Sequence, residues 1–118
     1  MSLEAHPLEL VADKVAASGA ISTIEAAGRI GRRVTIAGVR QTSHRSRTAK
    51  GDSMLFLTVE DLMGTLDAIA FPDVYRVAKE ALTSTSPMLL TGVMEMDTSR
   101  GEHYMKIERV VVISSGEN

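Results

Sequence analysis

A chain of 118 residues, 44% of them apolar and none of them cysteine, is long enough for one domain with an ordinary core, and it excludes a disulfide framework, a thiolate nucleophile and cysteine-ligated zinc. No apolar run approaches the roughly 18 residues of a membrane span and no basic-then-apolar leader opens the chain, so a soluble, unexported, cytoplasmic protein is expected. The net charge of -2 hides an asymmetry: seven Lys or Arg (Arg29, Arg32, Arg33, Arg40, Arg45, Arg47, Lys50) stand together without a carboxylate among them, while the other six cations share the rest of the chain with all 15 acids. A basic segment on an acidic body points to a polyanion-facing surface.

In chain order, Leu8, Leu10, Val11, Val15 and Ala16 mark one face of a helix over residues 8–17, after Pro7 and closed by Gly19. Ser22 and Glu25 have capping-box spacing, and Ile24, Ala26 and Ala27 carry a second short helix to Gly28. Residues 1–31 therefore read as a helical arm, too small to be stable unless it packs on the body of the domain or on a neighbour. From Arg33 the period changes to two. Val34 and Ile36 alternate with Thr35 and Ala37, Gly38 allows a bend or bulge, and the basic run at 43–52 follows as a loop.

In a second strand Leu55, Leu57 and Val59 face the core, opposite Met54, Phe56, Thr58 and Glu60. A turn ending at Gly64 leads to a third strand over 65–71, whose two faces are both rich in apolar residues and leave its phase open. Pro72 starts a helix through Leu82, with Val74, Val77, Ala78 and Ala81 as the inward stripe. Strands over 88–96 and 103–113 complete the chain around a polar turn. The expected fold class is all-β: a five-stranded OB-fold barrel over 32–114, with a helix between strands 3 and 4, the N-terminal arm, and a tail at 115–118. Such barrels bind oligonucleotides through strands 2 and 3 and the loops joining strands 1–2 and 4–5, and the basic run falls in the first of those loops.

Phosphate contacts are assigned to Arg33, Arg40, Arg45, Arg47 and Lys50, with Arg100 and Lys106 extending the track from the other loop. His44 stacks or donates a hydrogen bond. Of the four aromatics, Phe56 either stacks a base or completes the core, with Thr58 on the same face; Tyr104 stands beside the second loop; Phe71 and Tyr75 flank the helix start and are expected to pack beneath it. Few aromatics, with Asp52, Glu60, Asp61 and Asp67 near the same surface, imply weak binding. Glu60 and Asp61 alternate along a strand and diverge, so they read as a turn rather than a metal pair. The three histidines share no ligand spacing, and there is no Ser-His-Asp set or phosphate-binding glycine loop. Neither catalysis, metal nor cofactor is expected.

Two strings resemble a known family: Gly31-Arg-Arg-Val-Thr-Ile-Ala-Gly38, and the stretch from Lys50 through Phe56-Leu-Thr-Val-Glu-Asp61 and Gly64 to Phe71-Pro-Asp-Val-Tyr75. They are similar to the OB-fold domain of the bacterial DNA polymerase III alpha subunit and its error-prone paralogue, and His6-Pro-Leu-Glu-Leu10 resembles the segment before that barrel. The resemblance implies a fragment that handles single-stranded template DNA beside the other domains of a polymerase and its replisome subunits, without the catalytic carboxylates of the palm. Two other readings stay open: a protein-docking module within the replicase, and an anticodon-binding domain of a class II aminoacyl-tRNA synthetase.

Overall fold

A computed structural model describes residues 12–99 and 101–113. Its elements are α1 (Ala12–Ser18), α2 (Thr23–Ala27), β1 (Arg33–Arg47), β2 (Ser53–Glu60), β3 (Thr65–Ala70), α3 (Pro72–Leu82), β4 (Met88–Asp97) and β5 (Glu102–Val112). The strands close into a barrel in the order β1-β2-β3-β5-β4, the expected all-β fold with a helix between its third and fourth strands.

β1 pairs antiparallel with β4 from Arg33 to Gly38 and with β2 from Val39 to Arg47. Gly38 sits where the partner changes: a Cβ there would overlap the Val59 side chain and stand 2.9 Å from the Glu60 carbonyl oxygen, so only glycine permits this approach. A bulge follows between Arg40 and Thr42 and increases the local twist. A second bulge, opposite Thr91 and Gly92, has Glu108 as the extra residue of β5 and bends that strand against β4. The circle is completed by a short parallel contact, Ala68 with Met105 and Ile69 with Lys106.

The interior follows the alternation in the sequence. Leu55, Leu57 and Val59 of β2 are buried, and β3 takes the phase that buries Leu66, Ala68 and Ala70. Ile36, Leu90, Met94, Met105 and Ile107 fill the barrel, each contributing about 1.5–3 kcal/mol of apolar burial.

Helix α3 covers one end with part of the anticipated stripe. Tyr75 and Leu82 are buried, with Val74 and Ala78 packed beside them, whereas Val77 is 81% exposed. Val77 lies about 200° around the helix from Tyr75, and the larger apolar area of Tyr75 and Leu82 fixes which side turns inward.

The segment 43–52 also differs from expectation. β1 runs on through Arg47, paired with β2 as far as Ser53, and only a tight turn remains, closed by the Thr48 amide donating to the Asp52 carbonyl (2.8 Å) with Gly51 at φ 91°. Ladder hydrogen bonds satisfy the backbone of this basic run better than a loop would. The predicted loop is thus a ribbon that projects beyond the barrel.

At the other end the arm is tied to the barrel. Ser22 caps α2 by accepting from the Glu25 amide, and Gly28 is its C-cap. Ala26 enters the core, and the Ile21 amide donates to the Thr35 carbonyl (2.9 Å). Val15 of α1 packs on Ala37 and Ile113, while the first part of the helix expected at 8–17, with Leu8, Leu10 and Val11, lies outside the described residues. Asp61 fastens α2 to the β2–β3 turn: its carboxylate accepts from the Thr23 amide (2.8 Å) and from the Thr23 hydroxyl, the Met63 amide and the Gly64 amide (2.9 Å each). Thr23 is fully buried, so losing this acceptor leaves desolvated donors unpaired. Asp61→Ala is expected to lower the unfolding free energy by about 1–3 kcal/mol in urea denaturation, and Asp61→Asn by less; an unchanged midpoint would show that this clamp carries no weight.

Candidate nucleic-acid interface

An open groove of about 350 Å³ crosses the outer face of β2 and β3, between the β1–β2 ribbon and the β4–β5 turn. The pleat builds it: residues directly opposite one another on paired strands share a face, and His44, Phe56 and Ile69 form one row across β1, β2 and β3. Phe56 is 37% exposed, and its ring centroid lies 6.1 Å from that of His44 at an interplanar angle of 43°. In the next row the Thr58 hydroxyl donates to Asp67 Oδ1 (3.0 Å). Tyr104 and His103, at the head of β5, close the far side.

Four of the residues expected from sequence therefore meet in one place: His44, Phe56, Thr58 and Tyr104 all line the groove. Phe56 stands on the open face of β2 and does not complete the core. The cations are distributed otherwise. Arg45 pairs with Leu55 and Arg47 with Ser53, which puts both on the ribbon face opposite Phe56, and Arg47 donates to the Gly51 carbonyl (3.3 Å). Lys50 is exposed in the turn between β1 and β2. Arg40 faces inward beside Val59 and donates to the Thr83 carbonyl at the C-terminal end of α3 and to Ser43 Oγ (3.3 Å each). A cation there offsets the negative end of the helix dipole, so this side chain serves the barrel end rather than the groove. The Lys106 ammonium stands 5.5 Å over the Phe71 ring. Arg33, at the far end of β1, pairs with Glu108, and Arg100 lies outside the described residues.

Sequence reasoning passed over His103 and Ile69 and read Asp67 only as a nearby acid. Asp67 lines the groove, together with Asp97 and Glu102, while Asp61 is turned toward α2. A strand-phase assignment that buried Leu66 and Ala68 would have exposed Asp67 and Ile69 together. Burial first, and then the hydrogen bond its hydroxyl donates to Glu95 (2.9 Å), raises the Tyr104 phenol above its ordinary value, so it stays protonated at physiological pH. Among the described residues no His, Asp and Glu cluster is placed to hold a metal ion, and no helix is long and apolar enough to cross a membrane.

A closed barrel of this strand order, with an aromatic groove across its second and third strands, defines an OB-fold domain. Solved structures agree on the fold: asparaginyl-tRNA synthetase from Pyrococcus horikoshii, complexed with asparaginyl-adenylate, superposes with a TM-score of 0.60 at 24% identity over 80% of this chain and 22% of that one. The second OB-fold domain of replication protein A from Methanococcus maripaludis gives 0.53 at 11% identity over 75% of this chain and 91% of that domain. No protein-family model matches. In sequence, the chain is 34% identical over 94 residues to the error-prone DNA polymerase of Brucella abortus, covering 78% of this chain and 8% of that protein. It is 28% identical over 91 residues to the DNA polymerase III subunit alpha of Bacillus subtilis, covering 77% of this chain and 8% of that protein. The chain is a homologue of one segment of the bacterial DNA polymerase III alpha subunit and its error-prone relative, and it spans about 8% of the length of the curated relatives it matches.

Arg33 donates to Glu108 through Nε (2.7 Å) and Nη2 (3.3 Å). That hydrogen bond holds the Glu108 carboxyl below its usual range and raises the guanidinium. A carboxyl lowered in the folded state stabilises above its unfolded pKa, and the contribution is lost as pH falls through the lowered value. Glu108→Gln is therefore expected to differ slightly from the parent in urea midpoint at neutral pH, the pair being exposed, and to converge with it below the carboxylate range. A difference that persists in acid would assign the effect to packing.

Proposed function

We propose that this chain is a non-catalytic single-stranded nucleic-acid-binding module that guides template DNA within a polymerase of the DNA polymerase III alpha type, in the bacterial cytoplasm and beside the polymerase's other domains and replisome subunits. In this reading residues 32–114 are the binding domain and 1–31 its N-terminal arm. The observation that carries this reading is the exposed Phe56 ring, flanked by His44 on the floor of a groove in the face that OB folds use for oligonucleotides. Base–aromatic stacking contributes about 1–3 kcal/mol per base and tolerates sequence variation.

The ribbon supplies charge. Arg45 and Arg47 emerge from its other face, yet the ribbon is one strand layer thick, within the Debye length of about 8 Å at physiological ionic strength, so they attract a phosphate backbone lying along either edge. Asp67, Asp97 and Glu102 disfavour phosphates on the opposite wall. The backbone should therefore follow the ribbon while the bases turn inward over Phe56. Binding is weak and electrostatic, with one aromatic platform rather than several.

Fluorescence anisotropy of labelled mixed-sequence single-stranded DNA across a salt series tests this. Binding should fall steeply with salt. Arg45→Glu with Arg47→Glu should weaken it and flatten the salt slope, and Phe56→Ala should cost about 1–3 kcal/mol with the slope kept. Absence of binding at low salt would overturn the proposal and move the module to protein docking.

A further inference from the structure

We propose that the cleft between the β1–β2 ribbon and helix α3 is a second binding site, for the phosphate backbone of single-stranded nucleic acid, separate from the groove over Phe56; this deepens the nucleic-acid reading above and rests on it. Strand pairing builds the cleft. Arg45 stands opposite Leu55 and Arg47 opposite Ser53, so each arginine shares its partner's face. Leu55 belongs to the core cluster with Tyr75 of α3, and Ser53 lines the cleft with Tyr75, Arg76 and Lys79. The ribbon's two arginines thus flank the space that the helix's two cations line, a cleft of about 350 Å³.

Helical spacing sorts the charges of α3. Tyr75, Arg76 and Lys79 fall on one stripe, and Asp73 and Glu80 lie about 80° further around the helix. Arg76 meets Asp73 at 3.5 Å, with the two side chains 74% and 95% exposed, and such a surface pair holds a guanidinium weakly. Arg45 and Lys79 have no hydrogen bond or ion pair among the described residues, and Arg47 donates to the Gly51 carbonyl (3.3 Å) with donors to spare. Tyr75 is buried, yet its hydroxyl is neither hydrogen-bonded nor closed off from solvent. Asp52 is the acid that lines the cleft.

Cations from two elements around an unpartnered hydroxyl suit a phosphate, whose oxygens accept from guanidinium, ammonium and phenol alike. The groove has the opposite character, since Asp67, Asp97 and Glu102 line it and disfavour phosphates. A strand with a base on Phe56 therefore gains most by carrying its backbone to the other side of the ribbon. The fold leaves a route: beyond Gly38, β1 is paired with β2 alone, so its free edge separates groove from cleft by a single strand.

The test is fluorescence anisotropy across a salt series with a labelled single strand of about 16 nucleotides, the upper end of what an OB fold covers. The 118-residue chain is compared with Arg76→Gln, Lys79→Gln and with a control of equal net charge, Arg29→Gln, Arg32→Gln, which lies beyond the opposite end of β1. Each phosphate contact to a single strand contributes about 0.7 to the slope of log K against log salt, so the cleft variant should be shallower by about 1.4 and the control unchanged. A parental slope in the cleft variant overturns the site, and the groove reading then survives alone. Equal flattening in both variants also overturns it, by making the effect one of net charge. No binding by the parent at low salt overturns both readings. A second measurement needs no variant: acetylation of Lys79, followed by mass spectrometry, should slow severalfold under a saturating strand, and labelling that the strand leaves unchanged overturns the site.

Discussion

One strand serving two neighbours is the constraint on which the rest depends. β1 gives its first half to β4 and its second half to β2, and the change of partner is possible because Gly38 lets the backbone pass against Val59 and Glu60. With that register set, the order of faces along β2 and β3 follows, and so does the row that brings His44, Phe56 and Ile69 together. A slip of one residue would send Phe56 into the barrel and Leu55 and Leu57 into water. The core and the groove are two sides of one choice.

The separation of charge from hydrogen bonding has the same origin. The pleat sends His44 toward Phe56 and the flanking arginines to the other face, so long-range attraction and short-range contact come from different surfaces of the ribbon. Coulomb attraction tolerates such displacement, because it declines gradually with distance. A hydrogen bond does not, and the groove accordingly keeps the paired Thr58 and Asp67 on its floor. Arg40 belongs to neither surface. The bulge beside it and its bond to the Thr83 carbonyl make it part of the link between β1 and α3.

Much of this was legible in the sequence, for identifiable reasons. The alternation of Leu55, Leu57 and Val59, the Ser22 cap and the proline at the start of α3 are local signals, and each corresponds to what the chain forms. The basic run was read as a loop because its residues favour turns, and a segment read as a loop has no pleat from which to separate Arg45 from His44. The inward side of α3 was misjudged only at Val77, which is exposed, while Tyr75 packs beneath the helix as its place at the helix start suggested. The Thr58 and Asp67 pair, nine residues apart, depends on the length of the turn that Asp61 organises. Register across a turn is a three-dimensional quantity, and periodicity within either strand does not carry it.

The parallel contact that closes the barrel is also its narrowest seam. Two residue pairs join β3 to β5, whereas the antiparallel ladders of β1 with β2 and β4 with β5 run almost their full length. The groove straddles that seam, with Asp67, Ala68 and Ile69 on one bank and His103 and Tyr104 on the other. Its width is therefore set where the fewest backbone hydrogen bonds resist a change.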